Sequence, residues 1–211
     1  MPAGAQPARV KDLHSLPGSS LIIRGSTTIG AAWHCTSTDV LSLITTTKRA
    51  RDGNGTSHDA RNVMIRVPVS GLRCQNGRME RAMWRALKAD RDTAARVIVG
   101  HFELGDGLPT SQTREVNLAG TLRVAGTERV IALRSIVTPL SDGSVSVHSE
   151  ASLSLSTFGI TPPRVLLGVV RARDAVTIQV DLRYTNVRTA RAVRPMEPTG
   201  DPGGIVRVLP D

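Results

Sequence analysis

Rings are scarce in this chain. Five aromatics in 211 residues, two Trp, two Phe and one Tyr, leave the core to Val, Leu, Ile and Ala. They also weigh against an oligonucleotide-binding barrel, which interleaves exposed aromatics with its cations as stacking platforms. Only Tyr184, beside Arg183, stands near a basic strand face. Acidic residues are outnumbered 18 to 27, for a net charge of +9. The arginines are scattered rather than gathered in one block, and most read as solvated surface. No apolar run approaches the roughly 18 residues of a membrane-spanning helix.

Sites for chemistry are equally sparse. The five histidines, His14, His34, His58, His101 and His148, have no His or Cys two to four positions away, so metal-site spacing is missing. His34 and Cys35 are adjacent and point to opposite faces of a strand. There is no Gly-x-Ser-x-Gly elbow and no Ser-x-x-Lys helix start. "GDGLPTSQ" and "RDGNG" read as turns, because no Gly-Lys-Ser/Thr follows either. The two cysteines, Cys35 and Cys74, form no Cys-x-x-Cys, which argues against a redox role. The first residues, "MPAGAQPARV", lack the charged-then-apolar order of a secretory leader. That leaves a cytoplasmic protein, or an exported one whose leader is absent from the given chain.

What the chain has is alternation. "NVMIRVPV" puts Val63, Ile65, Val67 and Val69 on one face. "VNLAGTLRV" does so with Val116, Leu118, Gly120, Leu122 and Val124, and "ERVIALRSIV" with Ile131, Leu133 and Val137. "SVSVHSEASLSL" alternates over twelve residues, and "AVTIQVDLRY" sets Val176, Ile178, Val180, Leu182 and Tyr184 against Thr177, Gln179, Asp181 and Arg183. "SLIIRG", "GAAWHCTS" and "DVLSLITTT" add shorter strands near the start. Period two over such lengths predicts half-buried antiparallel strands. One segment has the helical period: "NGRMERAMWRALKAD" places Met79, Ala82, Met83, Ala86 and Leu87 on one stripe, with Asn76 to cap it. The expectation is an all-β, mainly antiparallel protein of about eight strands with one principal helix at about 76–89. Strands with one apolar face and little helix to cover it close into a barrel or stack as a sandwich. An eight-stranded barrel lined by small aliphatics has room for one apolar guest.

The order of these pieces resembles the YceI-like, polyisoprenoid-binding, lipocalin-like family of bacteria, from about Leu21 to Leu182. "GSTTIGAAWHC" matches the family's Ser-Thr opening into a Trp, and "VPVSGLRCQNGRMERAMWRALKAD" its strand and Met-bearing helix. "LAGTLRVAGTERVIAL" is similar to its Gly-x-Leu-x-x-x-Gly-x-x-x-x-Val hairpin, and "LSLSTFGITPP" to its Phe-Gly-Ile segment. The family's Arg-Asp-x-His-Leu stretch has no counterpart; "CQNGRMERAM" stands there instead. The resemblance implies a lipocalin-like barrel around a long apolar tunnel that holds an isoprenoid or fatty-acyl chain, usually in the periplasm.

Domains then fall as an N-terminal arm (1–19), the barrel (20–185) and an extended tail (186–211), where "GIVRVL" offers an edge strand. The segment "TFGITPPRVLLG" is unusually apolar for a strand connection, and Phe158, Ile160, Leu166 and Leu167 fit either a lid over the tunnel or a plug of ordinary core. Candidate cavity or mouth residues are Trp33, Val67, Met79, Met83, Leu118, Leu122, Leu133, Val147, Phe158, Leu166 and Ile178, led by Trp33 and the Met pair. Export favours a Cys35–Cys74 disulfide over two buried thiols. The expected partner is an apolar lipid, with an anionic membrane surface attracted by Arg164, Arg171 and Arg173, and no nucleic acid. No cofactor is expected beyond that lipid, no catalytic group, and a monomer or homodimer. A basic nucleic-acid-binding barrel and a small enzyme acting on a lipid inside the barrel are the alternatives.

Overall fold

The computed structural model describes residues 13–48, 59–104, 112–165 and 169–185. The alternating runs form β2 (Ser20–Thr27), β3 (Ala32–Ser37), β4 (Leu41–Lys48), β5 (Asp59–Pro68), β7 (Val97–Leu104), β8 (Arg114–Val124), β9 (Thr127–Pro139), β10 (Val145–Ser154) and β12 (Val170–Tyr184). Three two-residue strands complete the set: β1 (Leu13–His14), β6 (Arg73–Cys74) and β11 (Arg164–Val165). The sheet is antiparallel, in the order β1-β4-β5-β7-β8-β9-β10-β12-β2-β3-β6, with β11 against β12. It curls so that its apolar faces meet in one core, the all-β antiparallel build that the alternation implies in the lipocalin-like form that the family resemblance implies. Among the described residues nine long strands, rather than eight, build it, because "VIVGHFEL" is a full member between β5 and β8.

Period two puts the right side chains inside. Val63, Ile65 and Val67 are buried on β5, as are Leu118 and Leu122 on β8, Val145 and Val147 on β10, and Val176, Val180 and Leu182 on β12. Charge stays outside and pairs across strands: Arg134 donates from Nε to Glu115 at 2.7 Å, and His148 Nδ1 lies 2.7 Å from Asp181 Oδ1.

Residues 13–19, the end of the expected arm, bind both β4 and β12. Ser15 donates its N–H to the Ser42 carbonyl (2.9 Å), and Leu16 donates to the Arg183 carbonyl (2.6 Å). Cys35 and Cys74 face each other in the β3–β6 pair and form a disulfide, their Cα atoms 4.0 Å apart. Joining positions 39 apart in sequence removes chain entropy worth about 4 kcal/mol.

Helix α1 runs Gly77–Ala86, capped by Asn76, whose side chain accepts from the Met79 N–H at 2.9 Å. It stops short of the expected 89 because Lys88 takes the left-handed conformation (φ 59°). Lys88 then donates to Arg85 O and Ala89 to Trp84 O, a closing pattern that terminates helices. The tail from 186, with the edge strand "GIVRVL", and Leu166 and Leu167 lie outside the described residues.

Candidate functional site

Inside the curled sheet two apolar cavities lie one behind the other. The larger, of about 70 Å³, is at the end where β12 begins and α1 packs. The smaller, of about 20 Å³, is at the end where β12 finishes. Successive inward positions of the same strands serve both. Strand β12 gives Val176, Ile178 and Val180 to the first and Leu182 and Tyr184 to the second; β8 gives Leu122 and Val124, then Leu118; Ile65 lines both. Among the described residues, Ser154 is the one polar residue that lines the larger cavity. A water there would lack the two to four partners it needs, so the space suits hydrocarbon.

Most of the candidate residues meet here. Val67, Met83, Leu122, Leu133, Phe158 and Ile178 line the larger cavity, and Leu118 and Val147 the smaller. Trp33 and Met79 are buried but belong to a different place, a groove beside the β2–β3 turn. The Trp33 ring lies across Gly25, where a Cβ would stand 2.4 Å from it, and its Nε1 donates to the Ser26 carbonyl at 3.2 Å. Leu166 falls outside the described residues.

Phe102 lines the larger cavity and was not among the candidates. Its ring covers two glycines: a Cβ on Gly100 would come within 2.5 Å of the ring, and one on Gly120 within 2.0 Å of the His101 carbonyl oxygen. Those glycines let the large ring fold down along the wall instead of filling the space. The signal was the alternation of Ile98, Gly100, Phe102 and Leu104 in "VIVGHFEL".

The apolar segment 157–163 closes the larger cavity. Leu155–Phe158 form a 3₁₀ turn that ends at Gly159 in the left-handed region (φ 65°), and the Ile160 N–H returns to the Leu155 carbonyl at 3.1 Å. Leu155, Phe158 and Ile160 are thereby buried in the core and line the cavity. Two outer groups hold the turn. Ser156 donates its N–H (2.8 Å) and hydroxyl (2.7 Å) to Asp174, and Arg129 donates to the Thr157 carbonyl (3.0 Å). The Ser156 hydroxyl, and then its N–H, hold the Asp174 carboxyl below the usual carboxylate range.

The opposite end is closed by hydroxyls. Ser42 donates to the Met64 carbonyl (3.0 Å), so the Tyr184 hydroxyl, 2.5 Å away, is the donor to Ser42 Oγ. Ser135 and Ser149, paired across β9 and β10, lie 2.7 Å apart. Burial pushes the Tyr184 phenol up to about 12, against a smaller opposing effect of the Ser42 hydrogen bond. Trp33, Phe102, Phe158 and Tyr184 are all buried, and Trp84 is half-buried. Among the described residues no group of three His, Cys, Asp or Glu side chains is placed to hold a metal ion, and no helix is long and apolar enough to cross a membrane.

This architecture defines a lipocalin-like β-barrel with an apolar interior closed by a short lid. Among solved structures the fold is shared with a polyisoprenoid binding domain from Saccharophagus degradans (TM-score 0.63, 12% identity, 84% of this chain and 99% of that one). It is shared also with Burkholderia cenocepacia BcnA (TM-score 0.55, 12% identity, 79% and 96%). The YCEI protein of Campylobacter jejuni is a looser likeness (TM-score 0.44, 12% identity, 66% and 79%). No protein-family model and no curated protein matches the chain. The fold is the one implied by the resemblance to YceI-like proteins.

Proposed function

We propose that the protein binds one long apolar lipid chain, a polyisoprenoid, isoprenoid quinone or fatty acyl chain, inside the barrel. It carries or stores that chain in the bacterial cell envelope without changing it chemically. The observation that carries this reading is the larger cavity, walled by Leu, Ile, Val, Met and Phe from seven strands, α1 and the lid. The polyisoprenoid binding described for the S. degradans domain, which shares the fold, supports it.

At about 70 Å³, on a scale where one water takes about 10–15 Å³, the cavity as it stands is too small for a long chain. Loading therefore repacks Met83, Leu87, Phe158 and Ile160, which close it through non-directional contacts. Met83 adapts readily, having an unbranched, polarizable side chain. The Cys35–Cys74 bond supports residence in an oxidising compartment, the periplasm or outside the cell. The exposed Arg164, Arg171 and Arg173 favour contact with anionic membrane surfaces, and the chain acts as a monomer or homodimer.

The test is organic extraction of protein purified from its own host, followed by mass spectrometry, with native mass measured alongside. A stoichiometric isoprenoid or acyl chain is the expected result. Protein at the bare chain mass, with no lipid taken up from added micelles, would overturn the reading.

A further inference from the structure

Two large apolar side chains stand in water at the mouth of the barrel. Ile29 is 70% exposed and Val169 82%. Ile29 belongs to the tight β2–β3 turn, closed by the Gly30 N–H to the Thr27 carbonyl (2.9 Å) and the Thr27 N–H to the Ala31 carbonyl (2.8 Å). The Thr28 N–H donates to the Arg171 carbonyl at 2.8 Å, which fastens this turn beside the first residues of β12, where Val169 stands. Gly, Pro, Asn, Asp and Ser dominate such turns. An isoleucine held there faces outward and meets no core.

The surface around the two tips is cationic. Arg164 on β11 and Arg171 on β12 are direct partners across the strand pair. Arg173 follows Arg171 on the same exposed face of β12. Arg78 and Arg81 are exposed on α1, which packs beside β11. Among the described residues none of these five arginines is in an ion pair. The carboxylates on the same elements are engaged, Asp174 by Ser156 and Glu80 by Arg73 and the Cys74 N–H. Like charges directly opposite across two strands destabilise a sheet. The Arg164–Arg171 pair carries that cost in the open, and an anionic surface laid against it removes the cost.

Apolar tips ringed by cations are the two components of a contact with a lipid surface: hydrocarbon enters the headgroup layer while the charges meet anionic lipid. A polyanion such as nucleic acid would answer the cations alone. We propose that this end of the barrel seats on an anionic bilayer, with Ile29 and Val169 inserted and the arginines lying along the headgroups. The contact therefore has an orientation, with the mouth and its lid against the membrane. The guest then passes between bilayer and cavity without crossing water. That consequence rests on the lipid-binding reading of the interior; the contact itself does not.

The experiment is co-sedimentation of the whole protein with phosphatidylcholine vesicles, alone or mixed with phosphatidylglycerol. Uptake of farnesol from detergent micelles is measured on the same preparations. Arg164→Gln/Arg171→Gln is compared with Arg66→Gln/Arg114→Gln, which removes the same charge from exposed positions on β5 and β8, strands not adjacent to β12 or β2 in the sheet. Each cation near an anionic surface is worth a factor of about five, so the rim pair should weaken binding to the mixed vesicles about thirtyfold. The pair on β5 and β8 should change it a few-fold at most. The rim variant should melt no lower than the wild type, because it removes two opposed like charges. Ile29→Trp should be quenched by lipids brominated in their acyl chains, above the wild-type level, and Ile136→Trp, on the outer wall of β9, should not.

Equal losses from the two double variants, equal binding to both vesicle types, or no quenching of Ile29→Trp overturns the docking face. So does a native mass of two chains that Ile29→Ser/Val169→Ser returns to one, which would make a second copy the occupant. Vesicles left unbound while farnesol is taken up overturns the docking face and leaves the lipid reading standing. Vesicles bound as expected, with no farnesol taken up, keeps the docking face and overturns the lipid reading.

Discussion

The two ends of the barrel are closed by different physics. At the Tyr184 end the groups that meet are hydroxyls and carbonyls: Tyr184 to Ser42, Ser42 to Met64, Ser135 to Ser149. These bonds are directional, and opening them would strand buried polar atoms. At the helix end Met83, Leu87, Phe158 and Ile160 surround a cavity whose described lining is apolar except for Ser154, and dispersion has no preferred direction. The first end keeps one arrangement, whereas the second can repack around a guest. One sheet thus holds a fixed floor and an adjustable mouth, with the same strands passing through both.

The comparison breaks most sharply on core truncations. Leu133, 1% exposed, is part of the wall at the helix end, and Leu182 is its counterpart at the floor. Leu133→Ala and Leu182→Ala are each expected to lose about 2–5 kcal/mol, measured by urea unfolding. An added alkyl ligand should recover part of the loss for Leu133→Ala, where hydrocarbon enters the enlarged cavity, and little of it for Leu182→Ala. Equal recovery at both ends would erase the distinction.

The disulfide comes next. It fixes β6, directly before α1, against β3, so it anchors the adjustable end. Cys35→Ser/Cys74→Ser is expected to lower stability by about 4 kcal/mol. Hydrogen-exchange protection should fall further in α1 than at Ser42 and Tyr184. A uniform loss would mean that the bond acts only on the unfolded chain.

Much of this was legible in the sequence, and the limits have physical causes. Alternation located the wall residues of β5, β8, β9 and β10 because each inward position there is buried or half-buried against the same core. On β12 the register against β2 shifts between Ala172 and Val176, yet Val170, Ala172, Val176, Val180, Leu182 and Tyr184 stay buried in one two-residue phase. Met79 and Met83 sit on one helical stripe, yet four residues advance the helix by about 6 Å, enough to move from the groove to the cavity. Trp33 faces inward by pattern, but Gly25 opposite lets its ring lie flat. The value of Phe102 depends on Gly120 being its partner across β7 and β8, and a pairing register is invisible in a single strand. The groove beside the β2–β3 turn is invisible in any one segment because its lining comes from β2, β3, α1 and β12.

A smaller effect belongs to the fixed end. With the folded Tyr184 phenol raised to about 12 from an unfolded value near 10, the unfolded state loses its proton first as pH rises. The contribution is fully present below about pH 10 and is lost progressively up to about pH 12, a fall of at most about 3 kcal/mol. Tyr184→Phe should flatten this stretch of the stability–pH curve. At neutral pH it should cost about 1 kcal/mol, because Ser42 keeps its bond to Met64. An unchanged alkaline slope would assign the fall to other groups.

The smallest expected effect tests how the lid is held. Asp174 is its outer fastening, and its carboxyl is lowered by the Ser156 hydroxyl and N–H. A lowered folded value means that the contribution is present above the ordinary carboxylate value of about 4 and is lost as pH falls through the lower folded one. Asp174→Asn removes the charge at every pH. Amide exchange at Ser156 and Ile160 should therefore speed up several-fold in the variant at neutral pH, with global stability almost unchanged because the site is exposed. The wild-type lid should loosen in the same way in acid, after correction for intrinsic exchange, and the variant should show no further loosening. If exchange at Ile160 ignores both the substitution and acid, the packing of Phe158 and Ile160 alone holds the mouth shut. Opening would then be governed entirely by how readily those two side chains leave the core.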